Sequence, residues 1–209
     1  MSERNEQDPP LDLARGRRRD PRIAGRLRTA VVMAIVAAGI VTTAVLVDQP
    51  SDTEVTAVAL SGDVSGPPPA VGALAPDFSV RTTEGETLTL SELRGRPVWL
   101  TFGASWCVDC RVEAPDLQTT YERYRDDGLV VLQVSVGEED TAIREYAERV
   151  GQTFTFAADP QTTIASRYRV LGIPTHLFLD RDGTVHEIRI GGMPLDQMTA
   201  AVEAILGSP

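Results

Sequence analysis

Two cysteines, Cys107 and Cys110, are the only thiols in the 209-residue chain, and two residues separate them. A pair at this spacing can close into a small disulfide ring and can reopen it by exchange with the disulfide of a partner. A structural disulfide across so short a loop would add little stability, because the gain in the chain-entropy model grows with loop length. The spacing therefore favours a redox-active pair.

A metal site is the other chemistry that paired cysteines commonly serve. A structural zinc usually takes four ligands, often from a second cysteine pair or from two spaced histidines. This chain has no other cysteine, and its only histidines, His176 and His186, lie far downstream. We therefore expect no metal, and no cofactor beyond the disulfide itself.

The cysteines lie where a strand pattern gives way to a helix pattern. Residues 97–102 are β-branched, aromatic and apolar, which is typical of a strand buried on both faces. Residues 111–125 carry apolar side chains at helical spacing, and Pro115 among them predicts a kink. The dipole and the unpaired N–H groups at a helix N-terminus favour an anion. This predicts Cys107 as the nucleophile and Cys110 as the resolving thiol.

Four stretches of the sequence carry a family likeness. They are the APDF tetrapeptide at 75–78, the segment TFGASWCVDC at 101–110, Pro115, and the GIPT tetrapeptide at 172–175. Together they resemble the thioredoxin superfamily, and within it the membrane-anchored TlpA/ResA-type (redoxin, AhpC/TSA-like) thiol-disulfide oxidoreductases. The resemblance covers roughly residues 71–208. It implies an α/β, thioredoxin-like fold with a central mixed sheet flanked by helices.

The patterns within the domain at 71–209 agree with that fold. Two pairs of strand patterns surround turn dipeptides and predict β-hairpins, one N-terminal around Glu84-Gly85 and one around Asp182-Gly183. The other predicted elements are a strand at 129–136, a helix at 141–150 through Ile143, Tyr146 and Val150, a βα insertion at 154–157 and 162–168, and a last helix with Leu195, Met198, Val202 and Ile205 facing the core.

The first 70 residues predict a membrane anchor and a linker. Residues 1–28 form a basic segment that ends in an arginine-rich run, and residues 29–47 then continue for nineteen residues without a charge. A helix of that length spans about 28 Å, close to the thickness of the hydrocarbon core. Residues 48–70, rich in Asp, Ser, Thr, Gly and Pro, predict a flexible linker.

The distribution of charge predicts the topology and disfavours one class of partner. The positive-inside rule puts residues 1–28 in the cytoplasm, so we expect a single-pass protein of the cell membrane with its domain outside the cytoplasm. A cleaved signal peptide is the alternative, although its apolar region is usually shorter. The net charge of −10 and the absence of lysine disfavour binding to nucleic acid.

The resemblance adds a substrate-binding group to the cysteine pair. It implies that the Ile173–Pro174 peptide bond is cis and faces the cysteines, although composition alone would favour trans. It also implies that the backbone of Ile173 pairs with an extended substrate chain. Trp106 would shield one side of the cysteine pair, and ordinary core packing is the alternative for its apolar body.

Resolution of a mixed disulfide also requires a proton acceptor for Cys110. Plain thioredoxins carry a buried aspartate six residues before the first cysteine, and Thr101 occupies that position here. Glu113, one helical turn after Cys110, matches the glutamate of TlpA/ResA-type proteins, while a solvated surface glutamate is the alternative. His176 is more typical of a packed or exposed strand residue than of a catalyst.

These features predict an extracytoplasmic thiol-disulfide oxidoreductase. The resemblance suggests that it reduces disulfides of exported proteins, including apocytochromes c before haem attachment, with a membrane thiol-reductant transporter as electron donor. Two alternatives stay open, a disulfide-forming oxidase of exported proteins and a thiol peroxidase, because the APDF tetrapeptide also opens peroxiredoxin-like domains. A non-enzymatic scaffold would leave the adjacent thiols unexplained.

Overall fold

The computed structural model describes Met33, residues 55–62, Val64 and residues 66–208. Within these residues, no helix is both long enough and apolar enough to cross a bilayer. The basic segment at 1–28 lies outside the described residues, and so does the predicted anchor at 29–47 apart from Met33.

Nine strands and four α-helices lie within the described residues between 55 and 208. The strands are β1 (Thr56–Ala57), β2 (Ser79–Arg81), β3 (Thr87–Thr89), β4 (Val98–Gly103), β5 (Val130–Val136), β6 (Thr155–Asp159), β7 (Gly172–Ile173), β8 (Thr175–Leu179) and β9 (Val185–Ile190). The helices are α1 (Val108–Tyr124), α2 (Asp140–Val150), α3 (Thr163–Arg167) and α4 (Leu195–Leu206). Short 3₁₀ turns cover Leu90–Leu93 and Arg125–Asp127.

A five-stranded mixed sheet forms the centre of the domain, in the order β6-β5-β4-β8-β9. The central strand β4 is parallel to β5 and antiparallel to β8, with β6 and β9 at the two edges. Every residue of β4 and β5 is buried, because helices or loops cover both faces of the sheet. This is the central mixed sheet that the sequence predicts.

Alternate side chains of β4 supply two separate apolar layers. Val98, Leu100 and Phe102 point to the face that is covered by α3 and by the β2–β3 hairpin. Trp99 points to the opposite face, where it packs in a cluster with apolar residues of α1, α2 and α4. Successive strand residues point to opposite faces, so one buried strand can anchor helices on both sides.

The hairpins and the insertion occur where the sequence predicts them. β2 pairs antiparallel with β3, and β8 with β9, while β6 and α3 form the βα insertion. Two residues of the predicted helical stripes are not in the core, since Val150 is 40% exposed and Leu195 is 39% exposed. Val150 is the last residue of α2 and Leu195 the first residue of α4.

Residues 55–62 lie within the predicted linker at 48–70 but dock onto the domain. β1 pairs antiparallel with β7, and Val58 and Leu60 pack against the core. Composition did not indicate this docking, because a two-residue strand is too short to leave a periodic pattern.

Candidate active site

The redox pair lies at the junction between the end of the central strand β4 and the start of α1. Cys107 and Cys110 form a disulfide. Cys107 is the N-cap residue of α1, and its Sγ accepts the backbone N–H of Cys110 at 3.1 Å. A thiolate at this position would receive the same donor and the positive end of the helix dipole. The local structure therefore favours an anion on Cys107.

Residue burial does not distinguish the two cysteines, since Cys107 is 0% and Cys110 is 9% exposed. The sulfur of Cys110 lies against the end of β4. A Cβ on Gly103 would be in ordinary van der Waals contact with that sulfur and with Nε2 of Gln133, each at 3.5 Å. In the disulfide form, exposure therefore does not decide which of the two is the nucleophile.

The Ile173–Pro174 peptide bond is cis, as the resemblance implied. It lies beside the redox pair, with the carbonyl oxygen of Ile173 3.8 Å from the Sγ of Cys107. The backbone of Ile173 is paired with Thr56 of β1. A segment of the chain itself therefore holds the backbone edge to which the resemblance assigns the substrate.

Trp106 is not part of the core, because 46% of it is exposed. Val108 and Val112, in the first turns of α1, are exposed as well. An apolar surface therefore lies next to the disulfide.

Glu113 is buried, with 5% of the residue exposed. Its Oε2 accepts the backbone N–H of Met193 at 3.0 Å. It lies three residues after Cys110 on α1, and residues at that spacing share one side of a helix. The alternative of a solvated surface glutamate is therefore wrong.

His176, which the sequence analysis left as an ordinary strand residue, lies fully buried against Glu113. Its Nε2 is 3.4 Å from Oε2 of Glu113, a long contact for a hydrogen bond. On the other side of the ring, Nδ1 receives Nε1–H of Trp99 at 3.3 Å and lies 3.0 Å from the hydroxyl of Thr101. An indole N–H can only donate, so Nδ1 accepts and the proton of a neutral ring lies on Nε2, facing Glu113.

The signal that identifies His176 lies in the strand register and not in the local sequence. Thr101 and His176 are directly opposite each other in the β4–β8 register, so they share one face of the sheet. Thr101 occupies the position of the buried aspartate of plain thioredoxins, and a polar partner for it is expected on the neighbouring strand. Recognising this required the strand register, which the sequence alone does not provide.

Glu138 is a second buried carboxylate that the sequence analysis missed. It is 7% exposed and accepts both the backbone N–H of Ser105, at 2.9 Å, and the Ser105 hydroxyl. It thereby fixes the loop that leads into Cys107. Burial raises the pKa of Tyr146; the charges of Arg111 and Arg149 oppose this increase, and those of Glu113 and Glu138 add to it.

Within the described residues, no group of three or more His, Cys, Asp or Glu side chains could hold a metal ion. The disulfide is the redox group of the site. A mixed sheet, a C-x-x-C disulfide at a helix N-terminus and an adjacent cis-proline together define a thiol-disulfide oxidoreductase of the thioredoxin superfamily.

Comparison with known proteins agrees with this class. The AhpC/TSA family model matches residues 71–188, and the chain belongs to that family, as a ResA/TlpA-type protein. It is 35% identical to the thiol-disulfide oxidoreductase ResA of Geobacillus kaustophilus over 136 residues, which are 65% of this chain and 78% of that relative.

Two solved structures resemble the domain. A Chlorobium tepidum protein assigned as a thiol:disulfide interchange protein DsbE has a TM-score of 0.62 and 31% identity, over 66% of this chain and 99% of that chain. StoA from Bacillus subtilis has a TM-score of 0.54 and 26% identity, over 64% of this chain and 98% of that chain. The thioredoxin-like fold predicted from the sequence is therefore confirmed.

The helix N-terminus predicts which cysteine reacts first. In the reduced protein at neutral pH, iodoacetamide should label Cys107 before Cys110, because the N–H of Cys110 and the helix dipole favour the Cys107 thiolate. Peptide mass mapping after short labelling times measures the order. Equal or earlier labelling of Cys110 would reverse the assignment of nucleophile and resolving thiol.

Proposed function

We propose that this protein reduces disulfides of exported proteins outside the cytoplasm. The main support for this proposal is the Cys107–Cys110 disulfide, which lies at the N-terminus of α1 beside the cis-proline. The Cys107 thiolate attacks a substrate disulfide, which forms a mixed disulfide and releases one substrate thiolate. Cys110 then attacks the sulfur of Cys107, which releases the second substrate thiolate and leaves the Cys107–Cys110 disulfide.

Glu113 is the proposed proton acceptor in the second step. Cys110 must lose its proton to attack, and Glu113 is the buried carboxylate one turn along the same face of α1. The N–H of Met193 and the Nε2 side of His176 hold its carboxylate. A fixed, buried acceptor suits proton transfer better than a mobile surface group does.

Replacement of Glu113 by glutamine should slow resolution of the mixed disulfide by about 10²-fold, the low end of the usual contribution of a general base. The amide keeps the shape of the side chain but cannot take the proton. Stopped-flow kinetics of mixed-disulfide decay from about pH 6 to pH 9, a range that brackets thiol titration, measures the effect. Glu122→Gln, an exposed change on the same helix, is the control. Unchanged kinetics in Glu113→Gln would remove Glu113 from the mechanism.

The two residues between the cysteines favour a reductant. Val108 offers no side-chain hydrogen bond to a thiolate, and Asp109 brings a negative charge close to it. Repulsion of the Cys107 thiolate weakens the reduced form, and each pKa unit corresponds to about 1.36 kcal/mol, or about 30 mV for this couple. The helix dipole acts in the opposite direction and contributes up to about 2 kcal/mol where the helix end is buried. That corresponds to only about 45 mV for this couple, well short of the roughly 150 mV that separates thioredoxin from strong disulfide oxidants.

The potential of the pair should therefore lie nearer to about −270 mV, the value of thioredoxin, than to about −120 mV, the value of strong disulfide oxidants. Asp109→Asn should raise it by about 10 to 30 mV, because removing the charge stabilises the thiolate. Equilibration with glutathione buffers measures both values, and Asp126→Asn, at an exposed acid beyond the end of α1, is the control. A wild-type potential above about −180 mV would favour the oxidase alternative.

The proposed location is the outer face of the cell membrane. Its support is the basic segment at 1–28 followed by the uncharged stretch at 29–47. On that topology a thiol-reductant transporter in the same membrane would return electrons to the Cys107–Cys110 pair. Apocytochromes c are the substrates that the family resemblance favours among exported proteins.

A reporter that is active only outside the cytoplasm tests this topology. Fused after Ser65, it should be active, because the arginines of residues 1–28 keep the N-terminus inside. A fusion that replaces those arginines with glutamine is the control and should lose activity. A silent reporter on the native sequence would show that the orientation is wrong.

A further inference from the structure

The short strand β1 uses the backbone groups of Ile173, the residue before the cis-proline. The register pairs Thr56 with Ile173 and Ala57 with Gly172, and the N–H of Val58 donates to the carbonyl of Leu171 at 3.0 Å. Bonded and non-bonded pairs alternate along an antiparallel ladder. Because the bonded positions lie two residues apart, Thr56 and Ile173 form the next pair that exchanges both backbone hydrogen bonds.

This pairing lies directly beside the reactive sulfur. The carbonyl oxygen of Ile173 is 3.8 Å from the Sγ of Cys107, and Cys107 has no exposed surface. A substrate chain that pairs with β7 and presents its own cysteine to Cys107 must occupy the strand edge with which Thr56 is paired. Only one strand can pair with an edge at a time, so the two chains exclude each other.

The segment is fixed firmly at one end and weakly at the other. At its C-terminal end the N–H of Ser61 donates to the Thr162 hydroxyl at 2.9 Å, and the N–H of Gly62 donates to the Ser166 hydroxyl at 3.0 Å. A Cβ on Gly62 would lie 2.8 Å from Cα of Thr163, so only glycine fits this contact. The strand itself has only two paired residues, and local opening is easiest where pairing is this short.

The surroundings of β1 indicate what kind of chain could replace it. An apolar groove beside it is lined by Val55, Pro69, Tyr168, Leu171, Ile188 and Ile190. A Cβ on Gly172 would come within 3.2 Å of the side chain of Val55, so the glycine leaves room for a β-branched neighbour. Strand addition of an extended apolar segment suits this edge and this groove.

We propose that residues 55–58 are a resident strand in the place of the substrate, and that substrate proteins reach Cys107 by exchanging with it. This rests on the proposed reductase function. The partner is an extended, apolar segment of an unfolded or partly folded exported protein. Because Ser61 and Gly62 stay attached to α3, the displaced strand remains close and returns when the product leaves.

Thr56→Pro tests the exchange, because proline has no N–H for the carbonyl of Ile173. The full-length reduced protein should reduce insulin about tenfold faster and react with iodoacetamide at Cys107 about tenfold faster, a factor that corresponds to about 1.4 kcal/mol. Val64→Pro, at an exposed position outside the paired segment, is the matched control and should change neither rate. Thermal unfolding verifies that each variant is folded.

Gly62→Val is the second variant, since its side chain would push the segment away from α3 without altering the strand. It should raise both rates in the same direction. Unchanged alkylation in folded forms of both variants would overturn the resident-strand proposal, even if insulin reduction proceeds. Faster alkylation with no insulin reduction in any variant would support the resident strand while contradicting the reductase function on which the choice of substrate rests.

Discussion

The position of Cys107 at the N-terminus of α1 is the constraint on which the rest of the site depends. Its sulfur accepts the N–H of Cys110 and faces the positive end of the helix dipole. For this to occur, β4 must end at Gly103 and the following loop must turn within a few residues. Glu138, which follows β5, fixes that loop through its hydrogen bond with Ser105. It thereby helps to hold Cys107 in position at the end of the loop.

Beneath the disulfide the domain buries polar groups that it could not keep there without partners. A buried ionisable group is costly unless it is hydrogen-bonded or paired. Glu113 contacts the N–H of Met193 and the ring of His176, and that ring is held in turn by Trp99 and Thr101. This chain of contacts connects α1 to the central strand β4 and to its neighbour β8. The redox site is therefore joined to the buried core of the domain by side-chain contacts.

Beside Cys107, the cis-proline loop meets β1. The same backbone edge that lies beside Cys107 is paired with residues from the N-terminal side of the domain. The buried Cys107 and this occupied edge thus lie side by side. In the proposed exchange, this edge opens to admit a substrate chain and closes again afterwards.

The sequence by itself determined the features that reside in local patterns. The C-x-x-C pair, the buried strand before it, the hairpins around Glu84-Gly85 and Asp182-Gly183, and the resemblance that implied a cis bond at Pro174 could all be read from neighbouring residues. The tertiary structure alone decided that His176 faces Glu113, that Glu138 holds Ser105, and that β1 pairs with Ile173. These contacts join residues far apart in the chain, and strand register and sheet order, which leave no local signature, bring them together.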